Sequence, residues 1–462
     1  MGAGLRLRYE GMTMRFAMGW AGGLAILAGM SAVGQAQVSL SSAVDLALRN
    51  DPRLKLAQAD VAKAKATLAE THDAYIPSAS ASGGYGTSTG VPLNVPVLFS
   101  ISSQSLLFNF AQKDNIRAAE GGLRAAQFAA DEAHDKVAED VIVTYLDLSH
   151  EERRRDAMNE EYGFATELVK IVGERLDAGA DDRMALLKAK KTSAQIHLEK
   201  LETEDEINAL SDHLSRMIGL PGNTLSTVPS SIPELPPLSQ LTAPTTARNY
   251  GVEAAYADAH SKRELAFGLG RYKLRPEVSF GANYSRIYTN HTNYATYYPA
   301  FASVNGLSYN DLSIGLEIRI PIFDRGHEAR AREAAADAAH AEAQAQEQRM
   351  QFLEGRQKLQ RSAAELQDRA EIASDEQGLS QAQLDAVLTR LSAASGATGG
   401  EQLTPEDEQN ARVDERARYI DLLDAQYELQ QAQVNLLRQT GQLDAWLKAG
   451  MTTPSVSAGP AH

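Results

Sequence analysis

Proline is absent from two long stretches of this 462-residue chain, between Pro96 and Pro221 and between Pro321 and Pro405. Proline breaks helix interiors, so such gaps permit uninterrupted helices. From about Gln112 to Arg175 the sequence is rich in the helix formers Ala, Glu, Arg and Leu. One continuous helix of that span would be ~95 Å long at 1.5 Å per residue, more than a compact core requires. Six of the sixteen prolines crowd instead between Pro221 and Pro244, which predicts an extended linker over 221–244. The chain is thereby divided into halves, 37–220 and 245–450, with 451–462 left as a disordered tail.

The halves repeat one another in pieces. Residues 48–64 match 247–263 and Tyr75-Ile76-Pro77 match Leu274-Arg275-Pro276, both at an offset of 199. Leu107-Phe108-Asn109 match Ile322-Phe323-Asp324 at 215, and residues 185–195 match 421–431 at 236. The rising offset places one insertion of 16 residues before Phe323 and another of 21, at about 391–411. Each repeat reads helix, strand, loop, strand, long helix, turn, helix, with helical hairpins over about 110–218 and 326–448. Leu422, Ala425, Leu429, Ala432, Leu436, Gln439, Leu443 and Trp446 are spaced alternately by three and four, a coiled-coil seam. A soluble helical bundle would carry the same stripe.

Four strands are predicted at about 78–86, 97–108, 277–287 and 311–321. In the last, Leu312, Ile314, Leu316, Ile318 and Ile320 alternate with Ser313, Gly315, Glu317 and Arg319, the period-two pattern of a strand with one apolar face. Each is near the 9–11 residues of a tilted transmembrane β-strand, although soluble hairpins alternate too. Between the second pair runs a Tyr- and Asn-rich loop. Four strands cannot close a membrane barrel, whose smallest bacterial form has about eight, and open edges are not tolerated in hydrocarbon. Membrane-spanning strands here therefore require several chains to pool them.

Composition narrows the chemistry. There is no cysteine, which excludes disulfides, thiolate metal sites and a lipidated Cys among these residues. A formal charge of −15 argues against a nucleic-acid partner. The mean hydropathy of −0.32 excludes a polytopic helical membrane protein. Arg6, Arg8 and Arg15 precede an apolar run from Phe16 to Val33, and Gly34-Gln35-Ala36 supplies small residues at a cleavage position. This predicts a secretory signal peptide over 1–36, a single membrane anchor being the other reading; its removal would move the charge to −17. His150-Glu151-Glu152 lacks the second histidine of a zinc-protease helix. No enzyme, cofactor or metal constellation is expected.

Taken together, the duplicated plan, the junction LEIRIPIFDRG (316–326), the turn Arg175-Leu176-Asp177-Ala178-Gly179 and the closing segment 420–447 resemble a TolC-type outer membrane efflux protein. The resemblance covers about residues 38–450. It implies a mainly α fold with membrane β: a homotrimer whose pooled strands form a 12-stranded barrel, continued by an α-helical tunnel into the periplasm. It also implies an outer membrane exit duct for tripartite efflux or type I secretion. The partners would be a periplasmic adaptor, an inner membrane pump, outer membrane lipid and exported small molecules or proteins. A periplasmic coiled-coil adaptor or scaffold is the alternative.

Site residues follow from the same resemblance. Arg175, Gly179, Asp181 and Asp182 would form an adaptor-docking tip. In the family, acidic residues six and nine positions past the second tip glycine ring the tunnel entrance; at the offset of 236 these are Asp421 and Asp424. A solvated helix face is the other reading of the pair. The second tip glycine position itself falls on Glu415, and the family's closed-tip latch falls on Ala185, Arg412 and Ala417, so the latch is not preserved. Asp414, Arg416 and Arg418 are the substitute tip contacts, unless the 391–411 insertion remodels the tip or is a disordered loop.

Overall fold

The computed structural model describes residues 36–84, 97–241, 249–287, 310–394 and 404–452. The predicted signal peptide up to residue 35, the Tyr-rich loop, the glycines at 396, 399 and 400 and most of the expected tail lie outside the described residues.

The first repeat contains β1 (Ala36–Val38), α1 (Leu40–Asn50), α2 (Pro52–Asp73), β2 (Ser78–Gly83), β3 (Val97–Asn109), α3 (Phe110–Asp177) and α4 (Arg183–Met217). β4 (Leu225–Thr227) and α5 (Leu238–Leu241) lie in the proline-rich segment. The second repeat contains α6 (Tyr250–Gly270), β5 (Glu277–Ile287), β6 (Asn310–Arg319), α7 (Arg325–Ala394), α8 (Pro405–Gln439) and α9 (Leu443–Thr452). The 68 residues of α3 make a rod about 100 Å long. No described helix is long and apolar enough to cross a membrane.

β3 runs directly into α3, residues 320–324 link β6 to α7, and side chains cap both helices. Asn109 Oδ1 accepts the Ala111 N–H at 2.8 Å to start α3, and Asp324 Oδ1 accepts the His327 N–H at 3.0 Å to start α7. These two caps are the residues matched at the offset of 215.

The main core surrounds the middle of α3. Val137, Val141, Ile142, Tyr145 and Leu148 pack with Leu40, Leu214, Ile218, Leu436 and Leu437. Smaller apolar clusters continue along α3 toward its end: Met158 with Leu423, then Ala165 with Ile196 and Val413, then Val172 with Ala189.

Two sequence expectations are corrected. The 221–244 segment is not simply an extended linker, because β4 pairs in parallel with β1 and Leu225 and Leu241 are buried in the core. The buried Tyr145 hydroxyl accepts the Val228 N–H at 2.8 Å and lies 2.8 Å from the Val38 carbonyl, so it ties both strands to α3. Trp446 Nε1 donates to the Glu234 carbonyl at 3.1 Å. The 422–446 seam is not one helix either. α8 stops at Gln439, and Gly441, at φ 67°, turns the chain before Leu443 and Trp446 enter α9.

Candidate functional site

β2, β3, β5 and β6 form one antiparallel sheet in that order. Its register sorts the residues into two faces, since successive side chains point oppositely. One face carries the rows Ser82–Ser100–Ser285–Asp311, Ser80–Ser102–Asn283–Ser313 and Ser78–Gln104–Gly281–Gly315. Ser80 and Ser102 hydroxyls meet at 2.8 Å, and Ser82 and Ser100 at 2.7 Å. The other face carries Ala81–Ile101–Tyr284–Leu312, then Ala79–Ser103–Ala282–Ile314, then Phe280–Leu316 and Val278–Ile318. Leu312, Ile314, Leu316 and Ile318 are each about two-thirds exposed in the protomer. A bulge between Leu106 and Phe108 shifts the register beside the α3 junction. The outer strands β2 and β6 have no partner on one side among the described residues. An apolar face, a hydroxyl-rich face and two free edges thus coexist in one four-stranded sheet.

At the far end of α3 the turn is a Schellman motif. The Gly179 N–H bonds the Leu176 carbonyl at 2.9 Å and the Ala180 N–H bonds the Arg175 carbonyl at 2.8 Å. Gly179 stands at φ +73°, the left-handed conformation that glycine adopts without strain. Asp182 Oδ1 then accepts the Ala185 N–H at 2.8 Å and caps α4. Arg175 holds Asp181 through two bonds, 2.7 and 2.9 Å, and lies 3.5 Å from Glu406 in the first turn of α8. The Arg175 guanidinium keeps the Asp181 carboxyl below its ordinary range. The four residues expected at this tip are therefore together in one turn, and Arg175 also reaches the second hairpin.

The second tip differs from expectation. α7 extends to Ala394 and α8 begins at Pro405, so 391–394 and 405–411 of the expected insertion are helical, and 395–403 lie outside the described residues. Thr404 and Asp407 form a capping box at the start of α8. α4 and α8 correspond at an offset of 222 at both their ends, not 236. Glu415 consequently lies ten residues inside α8, buried, where its Oε1 accepts from Gln377 Nε2 of α7 at 3.2 Å. The positions six and nine past the tip equivalent become Asp407 and Asn410.

Asp421 and Asp424 stand well up the helix. Asp421 is exposed and accepts from Arg418 at 3.1 Å. Asp424 Oδ1 lies 3.1 Å from Nε2 of the buried His150 on α3. Two of the three substitute tip contacts are cross-braces. Arg416 pairs with Glu160 of α3 at 2.8 Å, Arg418 reaches Glu376 of α7 at 3.4 Å, and Asp414 is exposed. Asp414, Arg418, Asp421 and Glu428 share an exposed face of α8.

Sequence reasoning missed two features on α3. His150 stacks on Tyr427, ring centroids 4.6 Å apart, and burial with the nearby Asp147 pushes the Tyr427 phenol up. Glu161 is 7% exposed. Burial, and the carboxylates of Glu199, Asp421 and Asp414, raise its carboxyl to about 7 against the pull of Arg416. A lone glutamate among acidic helix residues gives no signal of its own; its charged neighbours come from two other helices, α4 and α8.

Residues 43–220 match the family described as outer membrane efflux protein. No curated protein sequence matches the chain. The fold is shared with solved structures at low identity. The CmeC outer membrane channel of Campylobacter jejuni aligns with a TM-score of 0.69 at 17% identity, over 90% of either chain. VceC, an outer membrane protein of Vibrio cholerae, aligns at 0.67 and 15%, over 87% of this chain and 96% of that one. The MtrE outer membrane channel of Neisseria gonorrhoeae, in its open state, aligns at 0.66 and 14%, over 88% and 89%. Residues 43–220 thus match the outer membrane efflux protein family, and the chain shares the fold of these outer membrane channels along nearly its whole length.

Proposed function

We propose that the protein is an outer membrane efflux channel, a passive conduit from periplasm to exterior. The observation that carries this is the two-faced sheet with free edges. An apolar face suits lipid and a hydroxyl-rich face suits water, but edges in hydrocarbon must be paired. Three copies would contribute twelve strands and close a barrel, with the polar face inward and the long helices continuing it as a tunnel. As a passive conduit it would draw energy from an inner membrane pump joined through a periplasmic adaptor, in a tripartite efflux or type I secretion system. Such an adaptor would dock at the tip of Arg175, Gly179, Asp181 and Asp182.

Asp421 and Asp424 are proposed as tunnel-lining carboxylates, set back from the tip along with Asp414, where they would favour cations over anions. Fractionation tests the main reading: trimers that dissociate on heating, found in outer membrane fractions, support it, and a soluble periplasmic monomer overturns it. Unchanged conductance and cation block after Asp421→Ala with Asp424→Ala would reject the carboxylate assignment alone.

A further inference from the structure

The junction between sheet and helices has a composition unlike the rest of this acidic chain. Residues 267–277 and 319–330 carry Arg271, Lys273, Arg275, Arg319, Arg325 and Arg330 against Glu277, Asp324 and Glu328. Glu277 and Arg319 face each other across the ladder, Arg275 lies 3.8 Å from the buried Asp114, and Asp324 is engaged in capping α7. Arg271, Lys273 and Arg325 remain exposed, joined by Lys113 of α3, and none of the four is in an ion pair among the described residues.

Three of these cations lie over aromatic rings at the same level. Arg271 is 4.4 Å from the Phe267 ring centroid, Lys113 5.4 Å from Phe108, and Arg325 5.8 Å from Phe323. Immediately beside them the apolar sheet face continues beyond its last ladder pair. Ile320 and Ile322 keep the phase of Ile318, and Ile322, Phe323 and Leu274 are 65–70% exposed. Leu274 holds a positive φ of 60° and donates its N–H to the Pro321 carbonyl at 2.9 Å. A strained backbone is thus maintained to present an apolar side chain outward.

We infer that this collar binds anionic phospholipid of the leaflet next to the helices, with acyl chains on the isoleucine and phenylalanine surface and headgroup phosphates on Lys113, Arg271, Lys273 and Arg325. The occupant follows from continuity with the apolar sheet face on one side and charge complementarity on the other. The inference rests on the membrane reading of the sheet, and the test separates the two.

The full-length protein in mixed micelles of phosphatidylglycerol and phosphatidylethanolamine, with matched acyl chains, is examined for retained lipid by native mass spectrometry. Phosphatidylglycerol is expected in excess by on the order of five-fold. The excess should fall toward parity at about 1 M salt, where the screening length is about 3 Å. K113Q/R271Q/K273Q/R325Q should bring it to parity in low salt, and exchanging Lys for Arg at the same positions should preserve it. Equal binding of the two lipids by the unmodified protein overturns the proposal, as does an excess that survives high salt or the four substitutions. If the substituted protein does not assemble, the salt titration of the unmodified protein decides alone. Channels that conduct in bilayers yet bind both lipids equally reject the collar and leave the conduit standing; a protein that forms no channel and retains neither lipid rejects both.

Discussion

α3 and α7 occupy the same place in the two repeats and are 68 and 70 residues long, but they are buried in different ways. α3 places Val137, Val141, Ile142, Tyr145 and Leu148 at 1% exposure or less. α7 buries mainly small side chains, Ala334, Ala338, Ala341 and Ala345, which let α6 approach closely, while Met350, Leu353, Ile372 and Leu379 stand about half or more exposed. Duplication has therefore been followed by a division of labour. The first long helix organises the protomer; the second leaves an apolar surface, which the trimer proposed above would cover.

That division can be broken from either side. Ile142→Ala should cost about 3–4 kcal/mol of protomer stability, read by denaturant unfolding. Ile372→Asp with Leu379→Asp should change protomer stability by only about 0.5 kcal/mol and yet abolish heat-dissociable trimers on semi-native gels. Trimers that persist in the second variant would show that α7 is not an intersubunit surface.

Glu161 sharpens the same comparison. At the 215 offset its counterpart in α7 is Glu376, which is exposed and 3.4 Å from Arg418, whereas Glu161 is enclosed by α4 and α8. A carboxyl raised from 4.5 to about 7 on folding contributes stability that is full below pH 4.5 and lost as pH rises through 7. The loss attributable to this group is up to about 3 kcal/mol. Glu161→Gln should therefore raise the melting temperature at pH 8 and flatten its dependence between pH 5 and 8. Glu376→Gln serves as the control and should leave the profile of the unmodified protein in place. A profile equally steep in Glu161→Gln would assign the pH dependence elsewhere.

How much of this was legible follows from where the information is local. Strand phase and the order of elements could be read, because alternation and proline gaps are written in neighbouring residues. The matched residues Asn109 and Asp324 cap α3 and α7 at the offset of 215. The return helices were misaligned at 236 where the structure has 222, a slip of two heptads. Coiled-coil segments resemble themselves every seven residues, so a match of apolar spacing cannot distinguish those registers. Asp421 and Asp424, expected at the entrance constriction, accordingly lie 16 and 19 residues beyond the first residue of α8. The prolines of 221–244 announced a break in helix but not the burial of Leu225 or the bond from Val228 to Tyr145, whose partner lies 83 residues away.

The smallest expected effects separate the two tips. The first is closed by backbone conformation, and the helix that follows the second starts on a side-chain capping box. A Cβ on Gly179 would meet nothing within 4 Å, so Gly179→Ala costs only the strain of φ +73°, about 1 kcal/mol, and hydrogen exchange should rise at the end of α3 and the start of α4. Thr404→Ala removes the capping box of α8 at a similar cost of about 1 kcal/mol, with faster exchange confined to the first turn of α8. Adaptor cross-linking should weaken in Gly179→Ala and hold in Thr404→Ala, because only the first tip carries the proposed docking set. Arg175 complicates a clean separation, since it holds Asp181 in its own turn and also approaches Glu406 in α8. If that contact couples the tips, Thr404→Ala will speed exchange at Ala180 and Asp181 as well, and the two turns will have to be treated as one structural unit.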